Sequence, residues 1–147
     1  MPYLIDTNIF LRLVSKTDPD RQVCFRALQK LRADNERLYY TTQVLAEFWV
    51  VCTRPITARG GYGMSSVGAE KKARMIERYC QLLPESAATH LEWRRLIVAH
   101  SVLGVVIHDA RLAAAMNVHG ITHILTFNKS DFQRYPNLTV VSPDQIA

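Results

Sequence analysis

Short apolar runs along the chain alternate with longer segments in which apolar residues recur every three or four positions. A short run predicts a buried strand, and the helical period predicts an amphipathic helix. Strands that alternate with helices are typical of an α/β domain built around a mainly parallel sheet. The predicted strands lie at residues 3–5, 38–41, 81–84, 123–127 and 138–141, and the predicted helices near residues 9–14, 19–31, 42–52, 66–79, 91–100, 110–118 and 128–134.

Local signals place two of the helix ends and the inner faces of two helices. Asp18 followed by Pro19 predicts an N-cap with a proline at the first helical position, and Thr42 predicts the cap of the third helix. Helical periodicity turns Tyr79 of the fourth helix and Leu91 of the fifth towards the core.

Residues 54–64 have the composition of a loop. They hold three of the six glycines together with two arginines and a tyrosine, which is typical of a mobile backbone. The segment is a candidate flap that contacts a substrate; the alternative, an inert surface loop, is the more frequent role of such segments.

The composition narrows the class of protein. A chain of 147 residues, 48% of them hydrophobic, is predicted to fold as a single domain over residues 1–147. Three cysteines without close spacing form neither a disulfide framework nor a zinc site, and they indicate buried thiols in a reducing compartment. No leader and no apolar span of about 18 residues is found, so we expect a cytoplasmic protein without a membrane partner. The net charge of +5 favours polyanion binding; its alternative is a solvated surface.

Three acidic residues stand in apolar surroundings. Asp6 directly follows the first predicted strand, at the end of the sheet where α/β proteins build their sites. Glu47 is the only charge within residues 44–52 and is predicted on a buried helix face, whereas Asp109 joins an apolar run to an alanine-rich helix. We predict that the three carboxylates meet, and clustered like charges need a cation.

Each acid also has a purely structural interpretation. Asp6 and Asp109 could cap the helices that follow them and complement the helix dipoles. Glu47 could form a partly buried ion pair, for example with Arg12 or Arg111.

The predicted ligands indicate which metal is bound. Carboxylate oxygens without histidine or cysteine at ligand spacing favour Mg²⁺ or Mn²⁺ over zinc. The five histidines are scattered. No Ser-His-Asp order and no glycine-rich phosphate loop occurs, so acyl transfer and nucleotide hydrolysis lack support.

Four short segments, in order, resemble the signature segments of PIN domains. They are residues 4–9 (LIDTNI), 46–48 (AEF), 108–114 (HDARLAA) and 125–132 (LTFNKSDF). More narrowly, they are similar to the VapC-type toxins of bacterial toxin–antitoxin pairs.

This resemblance implies a three-layer α/β/α fold and Mg²⁺- or Mn²⁺-dependent endonucleolytic cleavage of RNA. Asp6, Glu47 and Asp109 become the metal-binding acids, and Thr7 and Asn8 help to position Asp6. In such a site the ion lowers the pKa of a bound water, aligns it against a phosphodiester and neutralises charge in the transition state.

The fourth position of the site departs from the family pattern. Many relatives place an acid two residues after the threonine, where this chain has Asn128, and Asp131 follows three residues later. Asn128 could hold a ligand or metal through its amide, and Asp131 could act through water. The alternative is local, with Asn128 as N-cap and Asp131 as its capping partner.

The resemblance also implies partners: an RNA substrate, a cognate antitoxin that buries an apolar strip in the site, and a second copy of the chain in a homodimer. Cations that could contact the RNA backbone are Arg12, Arg54, Arg59 and Arg111.

Two other functions compete. One is a PIN fold without turnover that binds RNA or a partner protein, which Asn128 keeps open. The other is an aspartyl-phosphate hydrolase with Asp6 as nucleophile. That class normally has a second aspartate two residues later, and Asn8 stands there.

Overall fold

The computed structural model describes residues 1–146. The strands are β1 (Tyr3–Ile5), β2 (Leu38–Thr41), β3 (Gln81–Leu83), β4 (His123–Leu125) and β5 (Thr139–Val141). The helices are α1 (Thr7–Val14), α2 (Arg21–Ala33), α3 (Thr42–Thr53), α4 (Ser66–Tyr79), α5 (Ala87–Ala99), α6 (Ile107–His119) and α7 (Lys129–Phe132), with 3-10 turns at Gly104–Val106 and Pro143–Gln145.

All five strands are parallel and belong to one sheet in the order β3-β2-β1-β4-β5. The α/β class and the parallel sheet are therefore confirmed. From β1 the chain first moves outwards to β2 and β3, then crosses back to β4 and β5 on the other side. Because parallel crossovers are right-handed, the connections on the two sides cover opposite faces of the sheet. The strand order reverses between β1 and β4, where open α/β sheets form a ligand-binding crevice at the carboxyl ends.

The core fills both sides of the central strands. Leu4 and Ile5 of β1 and Ile124 and Leu125 of β4 have no exposed surface. On α6, residues 112–116 are almost completely buried, because three consecutive alanines allow the helix to lie close to the sheet. The segments on either side of the β1–β4 crevice are therefore fixed by packing.

Two predicted helix caps are wrong. Helix α2 begins at Arg21, after Asp20, and Asp18 instead accepts a hydrogen bond from the amide of Asp20 at 2.8 Å. The cap of α3 is Thr41, whose hydroxyl accepts from the amide of Val44. Thr41 ends β2 in an extended conformation, which directs its side chain towards the first turn of the helix.

Two side chains predicted to face inwards are exposed. Tyr79 is 47% exposed and its ring lies under the guanidinium of Arg32, 4.4 Å away. Leu91 is 65% exposed, since Thr89 and Leu96 form the buried face of α5.

The loop at residues 54–64 folds back on the end of α3. The amides of Tyr62 and Met64 donate to the carbonyls of Val51 and Cys52, and the Tyr62 hydroxyl donates to Leu11 at 3.1 Å. A side chain on Gly61 would come within 2.4 Å of backbone oxygens, so glycine is required at this close approach. These contacts anchor the loop, in contrast to the predicted mobile backbone.

The three cysteines, Cys24, Cys52 and Cys80, are buried and free, as predicted. Burial raises the pKa of each thiol, to about 11 for Cys52 and about 12 for the other two. Over residues 1–146, none of the helices has the length and hydropathy needed to cross a membrane.

Candidate active site

Asp6 lies at the carboxyl end of β1, beside β4, and is 6% exposed. Its Oδ1 accepts from the backbone amide of Thr7 at 2.8 Å, and its Oδ2 accepts from the hydroxyl of Thr126 at 2.7 Å and the amide of Asn8 at 3.2 Å. Asp6 is also the N-cap residue of α1. The capping interpretation of Asp6 is therefore confirmed, and the orientation of its carboxylate is fixed by three donors.

Glu47 projects from α3 and is exposed, so the prediction that it is buried is wrong. Its carboxylate is nevertheless held at both oxygens. Oε1 accepts from Nε2 of Gln43 at 2.8 Å, and Oε2 accepts from the Thr7 hydroxyl at 3.1 Å. Thr7 thus contacts Asp6 through its amide and Glu47 through its side chain, which links the two acids.

Asp109 lies inside the first turn of α6 and is partly buried. The run that precedes it is a 3-10 turn with Val105 82% exposed. The apolar run that leads to Asp109 therefore forms no strand. The capping interpretation of Asp109 is wrong, because α6 begins at Ile107 without a side-chain cap.

The two aspartates influence each other electrostatically. Burial, opposed by hydrogen bonds from Thr126 and Thr7, raises the pKa of Asp6 to about 6, and the charges of Glu47 and Asp131 add to the rise. Burial raises the pKa of Asp109 to about 7, with further contributions from Asp131, Asp6 and Glu47, and the charge of Arg134 opposes the rise. Four carboxylates therefore share one electrostatic neighbourhood.

Asp131 belongs to this neighbourhood, whereas Asn128 is held differently. The Asn128 side chain is exposed and makes no cap hydrogen bond, so the capping pair with Asp131 is not formed. The backbone amide of Asn128 instead donates to the Thr126 hydroxyl at 3.0 Å. Thr126 therefore connects the loop after β4 to Asp6.

The basic partners proposed for Glu47 are engaged elsewhere. Arg12 pairs with Asp18 and Asp20, and its guanidinium lies 4.4 Å from the Phe127 ring. Arg111 pairs with Glu85 at 2.6 Å. In the described part of the chain, no ion pair involves any of the four clustered acids, which are Asp6, Glu47, Asp109 and Asp131.

The donor set fits a hydrated divalent cation. Among residues 1–146, no three histidine, cysteine or acidic side chains converge closely enough to enclose a metal ion directly. Mg²⁺ rarely needs such a cage, because it keeps several waters and binds through one or two carboxylates together with substrate phosphates. Hard oxygen ligands around an excess of negative charge suit this mode of binding.

Two residues that donate hydrogen bonds to the acids of the site, Gln43 and Thr126, were not predicted from the sequence. Thr126 belongs to the fourth segment that resembles PIN domains, at the end of a strand. This position could have identified it as a residue of the site. Gln43 has no such signal. Its role depends on the packing of α3 beside α6, because it also donates to the backbone carbonyl of His108 at 2.8 Å.

Comparison with known proteins identifies the family. The family model described as the PIN domain matches residues 3–138. The chain belongs to the PIN domain family. No curated protein is significantly similar to this PIN domain in sequence.

Solved structures similar to this PIN domain come from toxin–antitoxin pairs. VapBC2 from Rickettsia felis, bound to a DNA fragment from its promoter, aligns with a TM-score of 0.72 at 19% identity over 97% of this chain and 98% of that chain. VapBC-1 from nontypeable Haemophilus influenzae gives 0.67 at 20% identity, covering 98% and 99%. VapC20 from Mycobacterium tuberculosis, a toxin that cleaves the sarcin-ricin loop, gives 0.64 at 18% identity, covering 90% and 95%. At these identities the comparison establishes the shared fold.

Proposed function

We propose that this PIN domain is the toxin of a toxin–antitoxin pair and a Mg²⁺- or Mn²⁺-dependent endoribonuclease. The observation that carries the proposal is the group of four acids, Asp6, Glu47, Asp109 and Asp131, at the carboxyl edge of the sheet, where burial and the charges of neighbouring acids raise the pKa of Asp6 and of Asp109. No protein cation pairs with them in the described residues. A bound divalent cation would relieve this repulsion.

In this proposal Asp6, Glu47 and Asp109 would hold a hydrated cation, one or two of them directly and the rest through its waters, and Asp131 adds charge through water. When bound, the metal supplies a water of lowered pKa and positive charge for the phosphodiester oxygens. The chain's own groups set the geometry: Thr126 and Asn8 orient Asp6, and Thr7 joins Asp6 to Glu47.

The aspartyl-phosphate alternative is less well supported. Both oxygens of Asp6 accept hydrogen bonds and the side chain is 6% exposed. Such a carboxylate is held in place, whereas a nucleophile must reach the phosphorus atom.

The proposal is tested with purified protein and a structured RNA that contains several loops. Cleavage should disappear in EDTA and return with Mg²⁺ or Mn²⁺ for the wild type. In the Asp6→Asn variant, cleavage should not return at any metal concentration, because the substitution removes the central acid and keeps the shape of the side chain. The matched control is Glu77→Gln, which alters an exposed residue of α4. This variant should cleave RNA like the wild type. RNA that binds without being cut would favour the binding-module alternative and reject the nuclease.

An antitoxin partner requires a docking surface, for which an apolar groove between α1, α2 and α4 is suited. The groove has a volume of about 330 Å³ and contains none of the proposed site residues. Phe25 is 48% and Met75 38% exposed there, and Arg21, Arg32 and Lys72 lie along it. We propose that this groove binds the apolar face of an antitoxin helix with acidic flanks, which places that contact outside the site where the resemblance locates it.

Phe25→Glu should weaken binding of the cognate antitoxin, which we expect to be encoded by a neighbouring gene, by about 2 kcal/mol, roughly 30-fold, since it places a charge in the apolar groove. Calorimetry with the two purified proteins measures the loss. Val98→Glu, at an 80% exposed apolar position on α5, is the control and should bind like the wild type. Equal affinity of all three proteins would show that the antitoxin binds elsewhere.

The homodimer remains a prediction.

A further inference from the structure

Gln43 occupies an unusual position between two parts of the proposed site. Its side chain lies on the first turn of α3 and the residue is only 7% exposed. Nε2 donates one hydrogen bond to Oε1 of Glu47 and another to the backbone carbonyl of His108, both at 2.8 Å. His108 immediately precedes Asp109.

The orientation of the Gln43 amide follows from its neighbours. Both groups within reach of Nε2 are acceptors, so only the NH₂ end can face them. The two N–H bonds of that nitrogen are therefore both used. The other end, Oε1, is buried and accepts no hydrogen bond from any of residues 1–146. A buried acceptor without a donor is unfavourable, and such groups in folded proteins call for an explanation.

The explanation is found in what the two donated bonds connect. Glu47 is an exposed side chain on α3 that would otherwise be free to change rotamer. Gln43 fixes one of its oxygens and Thr7 fixes the other. The second bond from Gln43 ties the same carboxylate to the backbone at the start of α6. A single amide thus sets the position of Glu47 relative to the segment that carries Asp109.

We infer that Gln43 is a positioning residue of this PIN domain, which holds the Glu47 carboxylate at a fixed place relative to Asp109 for cation binding. The inference rests on the proposed function. It assigns no contact between Gln43 and metal or RNA; the residue acts through Glu47 and the His108 carbonyl. Partners that orient a ligand from behind commonly change metal affinity 10–100-fold when removed.

The test is a double-mutant cycle read by Mn²⁺ binding to the whole protein, followed by electron paramagnetic resonance, with RNA cleavage as a second readout. Gln43→Met keeps the length of the side chain and removes both donors. We expect it to weaken Mn²⁺ binding about 10–100-fold. Glu47→Gln should weaken binding as well. In the Glu47→Gln background, Gln43→Met should change the affinity less than about twofold, because the group that it positions is already lost.

Several outcomes separate this inference from the proposed function. Wild-type protein that neither binds Mn²⁺ nor cleaves RNA would overturn the proposed function. Wild-type protein that does both, combined with full affinity in Gln43→Met or additive losses in the double variant, would overturn only the role of Gln43. Gln29→Leu, an exposed glutamine of α2, is the matched control and should bind Mn²⁺ like the wild type. If Gln43→Met does not fold, Gln43→Asn replaces it in the same cycle with the same expected and opposing results, because its side chain is one methylene too short to bridge Glu47 and the His108 carbonyl.

Discussion

Asp109→Asn should abolish RNA cleavage and at the same time stabilise the metal-free protein at pH 8. The substitution keeps the shape of the side chain and removes its charge. Loss of a metal-binding acid should cost at least about 100-fold in cleavage rate, the upper range for groups that merely support a ligand.

The gain in stability has a separate cause. The pKa of Asp109 is raised to about 7 by burial and by three neighbouring acids, so its charge opposes folding at pH 8. The full shift corresponds to about 4 kcal/mol. Since the group is only partly buried and solvent screens it, we expect about 2 kcal/mol. Urea unfolding in EDTA measures the free energy.

Glu77→Gln provides the control for a simple change in net charge and should leave both cleavage and stability unchanged. Saturating Mg²⁺ should stabilise the wild type and not the Asp109→Asn variant, because ligand binding to the folded state adds to its stability. A variant that is less stable than the wild type in EDTA would show that the charge of Asp109 does not oppose folding. The electrostatic description of the site would then be wrong.

The order of strands and helices could be predicted because apolar periodicity is a local property. The end of β1 at Asp6 and the stop of α6 at Gly120, which adopts a positive φ of 69°, both follow from residues close by in sequence. Which strands are neighbours is a long-range property. The contact of Asp6 with Thr126 depends on the pairing of β1 with β4, and no local signal predicts that pairing.

Helix faces were predicted less well because α3 is apolar on several sides. Ala46, directly before Glu47, and Val50, three residues after it, are both exposed, so apolar neighbours did not imply burial of the acid. The position of Asp109 was misjudged for a related reason. Val105 and Val106 have the composition of a strand, but Gly104 adopts a positive φ of 67° and the chain forms a 3-10 turn there.

Metal-free protein should lose stability as the pH rises from 5 to 8. Asp6 and Asp109 have folded-state pKa values of about 6 and about 7, whereas an aspartate in an unfolded chain titrates near 3.9. Between these values the folded protein binds more protons than the unfolded chain. The free energy of unfolding therefore falls with rising pH until both groups are ionised.

Measurements above pH 5 separate the effect of Asp6 and Asp109 from that of acids whose pKa is lowered in the folded protein. Hydrogen bonds from Arg95 and from Ser142 lower the pKa of Glu92 and of Asp144 respectively. Their contribution is already complete above the unfolded-state values near 4, so it does not change between pH 5 and 8. For the almost fully buried Asp6 alone, the rise of its pKa to about 6 corresponds to about 3 kcal/mol in full. About half of this is lost between pH 5 and 8, because the rest is lost below pH 5.

Urea unfolding in EDTA at half-unit steps from pH 5 to pH 8 measures the slope. The double variant Asp6→Asn/Asp109→Asn should give a nearly flat profile, which assigns the wild-type slope to these two carboxylates. Saturating Mg²⁺ should flatten the wild-type profile too, because a cation that favours the ionised acids lowers their pKa in the folded state. Stability that rises with pH in EDTA would mean that the carboxylates have a cationic partner within the protein, and the reason for expecting a metal would be lost.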